Sequence, residues 1–252
     1  MVSGTGDPGG ASAMNQGGDI LNRCFELAGA GQLDEAGDLA EQALAVEEDN
    51  GSLWRFVGLM RHRAGDFVGA RDALETAQAL IPFEPTTCCI LAESLARTGH
   101  PVPALAVYQA LAADEGCPEK LLPAIAAGLG YLGEYAEALE VCLKLIHRLP
   151  DHAEAHFGAA FYLRRLGRPA ESALPYVTRA HELAPEVELY RISLATLLDH
   201  SGRRDEAYEL LRDIDLDGVS CRCCLRRMTT IFLAVGDSNR GETCRRKVDD
   251  PD

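Results

Sequence analysis

Seven glycines, spaced almost evenly, constrain the fold of this chain more than any other feature of its sequence. Successive members lie 34, 34, 34, 34, 35 and 34 residues apart. An alanine stands five residues after each of the first four glycines and six residues after the fifth. A period of this length predicts an array in which each repeat is one supersecondary unit stacked on its neighbours. The glycines are Gly31, Gly65, Gly99, Gly133, Gly167, Gly202 and Gly236.

The second unit, residues 51–85, indicates what each repeat is. It contains two segments with apolar residues at helical spacing, separated by Gly65. Glycine suits the left-handed residue that closes a helix, and Pro82 is placed to end the second segment. Small residues such as Gly58 allow two helices to approach closely. We therefore predict helical hairpins, and we place the one extra residue of the fifth unit in the turn 168–172.

Trp54, Gly58, Gly65, Ala70, Ala77 and Pro82 form a pattern that resembles a tetratricopeptide repeat, or TPR. The resemblance implies an all-α fold, a right-handed superhelical TPR solenoid of about seven helix-turn-helix repeats. We expect this array over residues 18–249, between a disordered N-terminal tail at 1–17 and a short tail at 250–252. The repeats are expected near 17–50, 51–84, 85–118, 119–152, 153–187, 188–221 and 222–249.

Charge and composition limit the function. The chain has 24 basic and 39 acidic residues, and its net charge of -15 argues against binding to nucleic acid or to an anionic membrane. It contains no run of apolar residues long enough to span a bilayer, and its first residues lack the pattern of a signal peptide. Nine cysteines, an odd number scattered along the repeats, favour a reducing compartment. We therefore expect a cytoplasmic protein.

In TPR proteins the first helices of successive repeats line a concave groove that binds a partner. By this resemblance the central groove has six basic residues and three acids (Glu93, Glu154 and Asp199), a charge of about +3 on an acidic chain. We expect it to bind a peptide or helix from a protein partner, an acidic segment with an apolar anchor. The residues expected to contact the partner are Arg55, Leu59, His62, Arg63, Cys89, Glu93, Arg97, Lys120, Tyr131, Phe157, Phe161, Arg164, Arg165 and Ile192.

Some of these arginines have a second interpretation. Arg63, Arg97 and Arg165 each come just before a turn glycine, where a cation stabilises a helix C-terminus by about 0.3–1 kcal/mol. They fit a role in helix stability as well as a role in binding. Arg55 and Arg164 have no such position, and they favour binding.

One cluster of cysteines has the residue types of a metal-binding site. Cys221, Cys223 and Cys224, with Cys244 further along, offer the four thiols of a structural zinc site. In the predicted hairpin, however, Cys244 lies six residues out of register, about 9 Å along a helix and too far to share one ion. We therefore expect structural thiols and no metal site, with a metal or redox role as the alternative. The two histidines of the segment 152–156 lie at a repeat junction and are expected to be structural.

The strongest patterns all build a binding surface, and none predicts a reaction. We therefore expect a non-catalytic interaction scaffold or adaptor, not an enzyme, and no cofactor. Two alternatives remain. One is a chaperone-like TPR protein that holds a single secreted or assembly partner, and the other is a metal- or redox-linked protein acting through Cys221, Cys223 and Cys224. The partner, the pathway, the oligomeric state and the form of the bound segment, helix or extended peptide, are left open.

Overall fold

The computed structural model describes the backbone of residues 9–249 and the side chains of residues 18–249. Within this range the chain is helical throughout and has no strand, and it divides into two compact units that meet between Leu121 and Leu122. The first unit contains α1 (Gly9–Gly29), α2 (Leu33–Leu44), α3 (Gly51–Arg63), α4 (Phe67–Leu80), α5 (Pro85–Arg97), α6 (Pro101–Ala113) and a 3-10 turn (Glu119–Leu121). The second contains α7 (Leu122–Tyr131), α8 (Tyr135–Arg148), α9 (Ala153–Arg165), α10 (Ala170–Leu183), α11 (Glu188–His200), α12 (Arg204–Leu211), α13 (Arg222–Ala234) and α14 (Ser238–Asp249).

Each odd-numbered helix packs against the even-numbered helix that follows it, so the predicted hairpins are confirmed. The seven turn glycines all have positive φ, between 71° and 90°. The residue after each glycine donates its amide proton to a carbonyl five residues earlier, as Asp66 does to Arg61 over 2.9 Å. This bond closes the first helix of the hairpin and fixes where the second begins.

The alanine that follows each of the first six turn glycines is fully buried where the hairpin helices cross. Ala36, Ala70, Ala104, Ala138, Ala173 and Ala207 all have 0% exposure. A larger side chain at these positions would separate the helices, because protein interiors are close-packed. The repeat of small residues in the sequence is therefore the repeat of helix crossings in the structure.

Two irregularities interrupt the regular array, and the first of them was predicted. Six of the described hairpin turns have three residues between their helices, whereas the turn between α9 and α10 has four, at 166–169. This is where the extra residue was expected. In the fourth repeat, Pro123 is the second residue of α7, which begins late after the 3-10 turn. Proline is tolerated in the first turn of a helix, since its missing N–H would have no helical partner there.

The start of the first helix corrects the prediction. The sequence predicts a disordered tail through residue 17, but α1 begins at Gly9. No proline occurs between Pro8 and α2, so no residue there is sterically excluded from a helix that extends backward from Asp19. Residues 1–8 and 250–252, also predicted as tails, lie outside the described residues.

Each unit has its own apolar core. Leu53 and Phe56 of α3 are fully buried in the first unit, against alanines of α2 and α4. In the second unit Ile192, Met228 and Phe232 form the centre of a larger cluster. None of the described helices combines the length and the apolarity needed to cross a membrane.

Candidate functional site

A cavity of about 510 Å³ opens in the second unit between α9, α11 and α13, the first helices of three successive repeats. We call it the C-terminal cavity. Its walls carry apolar, basic and hydroxyl side chains that come from equivalent faces of the three helices. It is lined by Phe157, Ala160, Phe161, Arg164, Val177, Leu189, Ser193, Thr196, Leu197, Asp199, His200, Cys223, Arg227, Thr230 and Ile231.

The C-terminal cavity has large apolar side chains in its lining. Phe161 is 48% exposed and Leu189 is 42% exposed, although both are large apolar side chains. Phe157 is held in place by the ring of Tyr190, whose centroid lies 4.7 Å away. Exposed apolar area beside fixed aromatic rings is typical of a site that anchors an apolar side chain of a ligand.

The charges of the C-terminal cavity are positive on balance. Its acid, Asp199, is already paired with Arg204 at 2.6 Å. Arg164 donates a hydrogen bond to the main-chain carbonyl of Arg168, and neither Arg164 nor Arg227 has a carboxylate partner among residues 18–249. Two guanidinium groups are therefore available to a ligand. Arginine binds carboxylates with paired hydrogen bonds, so an anionic group suits this cavity.

A smaller cavity, of about 270 Å³, lies between α7, α8 and α9 in the same unit. It shares Phe157 and Phe161 with the C-terminal cavity, so these two rings lie where the two cavities meet. Cys142 forms part of its wall, and burial raises the pKa of this thiol to about 12. The thiol therefore stays protonated at neutral pH and acts as an apolar wall.

The second unit has a further cavity, of about 790 Å³, between α10, α11 and α12. Its charged side chains are mainly acidic: Glu182, Asp205, Glu206 and Glu209, beside Arg179 and Arg203. Both arginines are paired with acids, Arg179 with Asp151 and Glu182 and Arg203 with Glu206. An anionic ligand is therefore favoured in the C-terminal cavity and disfavoured here.

Three of the residues expected to contact a partner in the second unit line the C-terminal cavity: Phe157, Phe161 and Arg164. Ile192 does not, because it is 1% exposed and belongs to the core, so its assignment to the groove surface is corrected. Arg165 lies with its guanidinium 4.6 Å from the ring centre of Tyr135 and donates to that hydroxyl, which favours the stability interpretation. Tyr131 is 60% exposed and lies outside the C-terminal cavity.

Sequence reasoning missed the contribution of α13. Cys223, Arg227 and Thr230 line the C-terminal cavity, yet the predicted groove ended with the sixth repeat. The signal was present, because Cys223 and Thr230 occupy positions two and nine of the seventh repeat, the positions used for the earlier ones. The weak match of this last repeat to the pattern concealed it.

In the first unit the expected groove residues are largely paired with acids or buried. Arg55 lies 3.2 Å from Glu84, and His62 lies 3.1 Å from Glu93. Arg55, which its register position favours for binding, therefore already has an acidic partner within the chain. Arg97 contacts Glu93 at 3.5 Å and lies over the Phe67 ring, 5.4 Å from its centre.

None of the remaining expected residues of the first unit lines one of the three cavities described above. Cys89 is 7% exposed, and burial raises its pKa to about 11, so this thiol is a packing residue rather than a surface residue. Leu59 is half-buried, whereas Arg63 and Lys120 are exposed. The three cavities described above are all lined by residues of the second unit.

The thiols of Cys221, Cys223 and Cys224 lie together at the start of α13, with their sulfur atoms all within 4.8 Å of one another. Cys221 and Cys223 are exposed, and their sulfurs are 2.8 Å apart. A hydrogen bond from Cys223 lowers the pKa of the Cys221 thiol to about 7. Burial raises that of Cys224 to about 12. Cys244 is buried and is not part of this cluster, as its register predicts.

The two histidines of the fifth repeat have structural roles. The Nδ1 atom of His152 accepts the amide proton of Ala155 over 3.2 Å and caps α9. The Nε2 atom of His156 lies 2.8 Å from the carbonyl oxygen of Pro150, to which it donates. Both histidines therefore form hydrogen bonds at the start of the fifth repeat.

Structural comparison places the fold among TPR proteins. A TPR protein from Parabacteroides merdae superposes with a TM-score of 0.69 at 16% identity, over 92% of this chain and 91% of that one. YrrB, described as a TPR protein with an unusual peptide-binding site, gives 0.61 at 19% identity, over 68% and 88%. PilF of Pseudomonas aeruginosa gives 0.61 at 17%, over 79% and 89%. At these identities the likeness concerns the fold.

Sequence comparison agrees with the fold. A search of curated proteins finds no match. One tetratricopeptide repeat model matches residues 26–85 and 124–188, and a second matches residues 189–213, so together they cover more than half of the chain. With seven glycine turns of positive φ and a buried small residue at each hairpin crossing, the chain belongs to the tetratricopeptide repeat family.

Proposed function

We propose that this protein is a non-catalytic interaction scaffold that binds a segment of a partner protein in the C-terminal cavity. The segment is acidic and carries one large apolar side chain. The observation that supports this most directly is the pair of arginines without acidic partners, Arg164 and Arg227, in a cavity that also exposes Phe161 and Leu189.

The apolar part of the C-terminal cavity supplies the affinity in this proposal. A cavity of about 510 Å³ has room for a large side chain together with part of its backbone. Burying such a side chain contributes about 1.5–3 kcal/mol. Phe161 and Leu189, which lie on different helices, provide the surface against which it packs.

The basic part supplies the selectivity. Arg164 and Arg227 approach the cavity from α9 and α13, the first and last of its three helices. Carboxylates on the bound segment therefore fit on both sides of the apolar anchor. Basic segments are rejected by these charges, whereas the acidic exterior of the chain, with its net charge of -15, repels acidic segments elsewhere.

The fold is consistent with this use, since TPR arrays provide extended surfaces for partner segments. YrrB, which has a similar fold, is described as having a peptide-binding site. We extend that mode of use to the present chain on the basis of its cavity, and we expect a protein or peptide partner rather than nucleic acid or a membrane surface.

The test is selection of a displayed library of random peptides by the full-length protein. We expect enrichment of peptides that combine Asp or Glu with a neighbouring Phe, Leu, Met or Trp. The variant Arg164→Glu/Arg227→Glu is expected to lose these peptides by about 100-fold or more, because two attractive charges become repulsive. Enrichment of basic or purely polar peptides would refute the proposal.

The matched control is Arg212→Glu/Arg226→Glu. It makes the same change of net charge, and both of its residues are exposed in the same unit but outside the C-terminal cavity. We expect it to retain the selected peptides within about threefold, since only long-range attraction is altered. Equal losses in both variants would show that the net charge, rather than this cavity, determines binding.

We also place the protein in a reducing compartment such as the cytoplasm. The support is its set of nine cysteines, each present as a free thiol. Acid quenching of intact cells, followed by alkylation of the denatured protein and mass analysis, is expected to modify all nine. A stable disulfide would contradict this placement.

A further inference from the structure

Three thiols gathered at one helix end form a potential metal site that the peptide-binding proposal does not use. Cys221 is the N-cap residue of α13, and Cys223 and Cys224 lie in its first turn. The three sulfur atoms lie within 4.8 Å of one another although the thiols come from a segment of four residues. Two of these side chains are exposed, so an ion can reach them from solvent.

We propose that Cys221, Cys223 and Cys224 bind one zinc ion through three thiolates. Zinc binds cysteine sulfur at about 2.3 Å in tetrahedral geometry, which separates two sulfur ligands by about 3.8 Å. The sulfurs, all within 4.8 Å of one another, need only small side-chain rotations to reach this spacing. Three thiolates are a soft ligand set, which zinc accepts and which calcium and magnesium do not prefer.

The backbone explains how so short a segment supplies three ligands. Cys221 has extended φ and ψ angles of -70° and 110°, whereas the residues after it are helical. Cys221 and Cys224 are three residues apart, the spacing that puts two side chains on one side of a helix. Cys223 lies beside them, with its sulfur 2.8 Å from that of Cys221.

The local charge favours the metal-bound form. Three thiolates and one zinc ion have a total charge of -1. The N-terminus of a helix carries about half a positive charge, which stabilises an anionic group there. Arg222, Arg226 and Arg227 lie on the first two turns of α13 and add positive charge on the same helix. This arrangement reduces the cost of deprotonating three neighbouring thiols.

Cys244 is not needed as a ligand. The sequence argument against a metal site required it as the fourth thiolate, and the structure keeps it buried and outside the cluster. Three protein ligands are sufficient when water fills the fourth position of the tetrahedron. Cys223 also lines the C-terminal cavity, so the ion would lie at the edge of that cavity.

The test uses the full-length protein, reduced with a phosphine and titrated with zinc against a chromophoric chelator. We expect one equivalent of zinc to bind with a Kd below about 1 μM, since zinc binds tightly to a set of thiolates. Cobalt in place of zinc is expected to show sulfur-to-cobalt charge-transfer absorption, which reports thiolate ligation directly. Binding must weaken as the pH falls, because the ion displaces protons from the thiols.

Ligand variants identify the site. Cys221→Ser/Cys223→Ser changes two exposed side chains, so the fold is expected to persist, and circular dichroism checks this. We expect its zinc affinity to fall by about 100-fold or more and the cobalt charge-transfer band to disappear. The matched control, Cys88→Ser, alters a half-buried thiol of the first unit and is expected to bind as the wild type does.

Two results would overturn the inference. One is a fully reduced wild-type protein that does not compete with the chelator. The other is undiminished zinc binding by the folded Cys221→Ser/Cys223→Ser variant, which would place the ion elsewhere. The inference does not rest on the proposed peptide binding, and zinc titration without peptide tests it separately.

Discussion

The first helices of the two units carry basic residues at related repeat positions, but the units differ in how those charges are paired. In the first unit Arg55 is paired with Glu84, and Glu93 contacts both His62 and Arg97. Arg63 and Lys120 are exposed there, but neither lines one of the three cavities described above. In the second unit Arg164 and Arg227 have no carboxylate partner among the described residues, and both line a cavity. A basic residue offers charge to a ligand only when no acid of the same chain already neutralises it. The second unit is therefore the better candidate for binding an acidic segment.

The largest expected effect tests the apolar side of this comparison. Phe161 and Leu59 occupy the same register position, one in each unit, but Phe161 lines the C-terminal cavity and is 48% exposed. We expect Phe161→Ala to weaken binding of a selected acidic peptide by about 2–4 kcal/mol, roughly 30-fold or more. Leu59→Ala is the control, with an expected loss of about twofold or less. Isothermal titration calorimetry measures the peptide affinity of both variants. A larger loss of affinity for Leu59→Ala than for Phe161→Ala would place the binding surface in the first unit.

The next effect concerns helix packing. A Cβ atom at Gly58 would lie 2.6 Å from Cγ of the fully buried Leu74, whereas the equivalent pair in the fifth repeat is Ala160 with the smaller Val177. We expect Gly58→Ala to destabilise the first unit by about 1–3 kcal/mol, because the crossing is already full. Unfolding in urea can be followed by the fluorescence of Trp54, the single tryptophan, which lies on α3.

Leu74→Val is the internal check on this packing prediction. Added to Gly58→Ala, it recreates the pair found in the fifth repeat, and we expect it to recover part of the lost stability. Added to the wild type, it removes buried volume and should cost about 1 kcal/mol. If the changes in unfolding free energy of the two single variants simply add in the double variant, contact with Leu74 is not what restricts residue 58 to glycine.

The ion pair of the first unit should have a smaller effect. Arg55 and Glu84 are both partly exposed, and such pairs contribute about 0.2–1 kcal/mol. A double-mutant cycle with Arg55→Ala and Glu84→Ala, followed by Trp54 fluorescence, is expected to give a coupling energy in this range. Neither change should weaken peptide binding in the C-terminal cavity by more than about twofold. A large loss with Arg55→Ala would mean that the first unit takes part in binding.

The smallest effect is a pH dependence carried by Glu84. Burial raises the pKa of this carboxyl, but the hydrogen bond from the Thr87 hydroxyl and the nearby charge of Arg55 outweigh it, so the pKa lies below its ordinary value of 4.5. A lowered pKa stabilises the fold above the ordinary value, and this contribution is lost as the pH falls through the folded-state pKa. Urea unfolding of wild type and Glu84→Gln is expected to differ less at acid pH than at neutral pH. An unchanged difference would contradict this.

The fold was largely predictable from the sequence, because its restraints are local. A left-handed residue closes each first helix, which requires glycine at Gly65 and its equivalents, and a fully buried crossing requires a small residue such as Ala70. The four-residue turn before α10 followed from the one extra residue in the spacing of the turn glycines. α1 begins before the predicted end of the N-terminal tail, because a Gly- and Ser-rich composition does not by itself prevent a helix.

The candidate site was predictable only in part. Register positions correctly brought Phe157, Phe161 and Arg164 to one cavity. They failed for Ile192, which lies at a groove position but is turned into the core. They also did not reveal the ion pair of Arg55 with Glu84, 29 residues away. Position along a helix gives the approximate direction of a side chain, but it gives neither its exposure nor its ion pairs.

The sequence by itself determined the repeat, its period, its turns and the helices that carry a binding surface, since each depends on interactions within about one repeat. The tertiary structure decided which charges remain available to a ligand, which side chains form the C-terminal cavity, and that three thiols at the start of α13 meet without Cys244. These properties depend on distances between neighbouring repeats and on the local path of the backbone. A change of a few ångströms decides whether two charges pair or two sulfurs share an ion, and no residue pattern records distances that small.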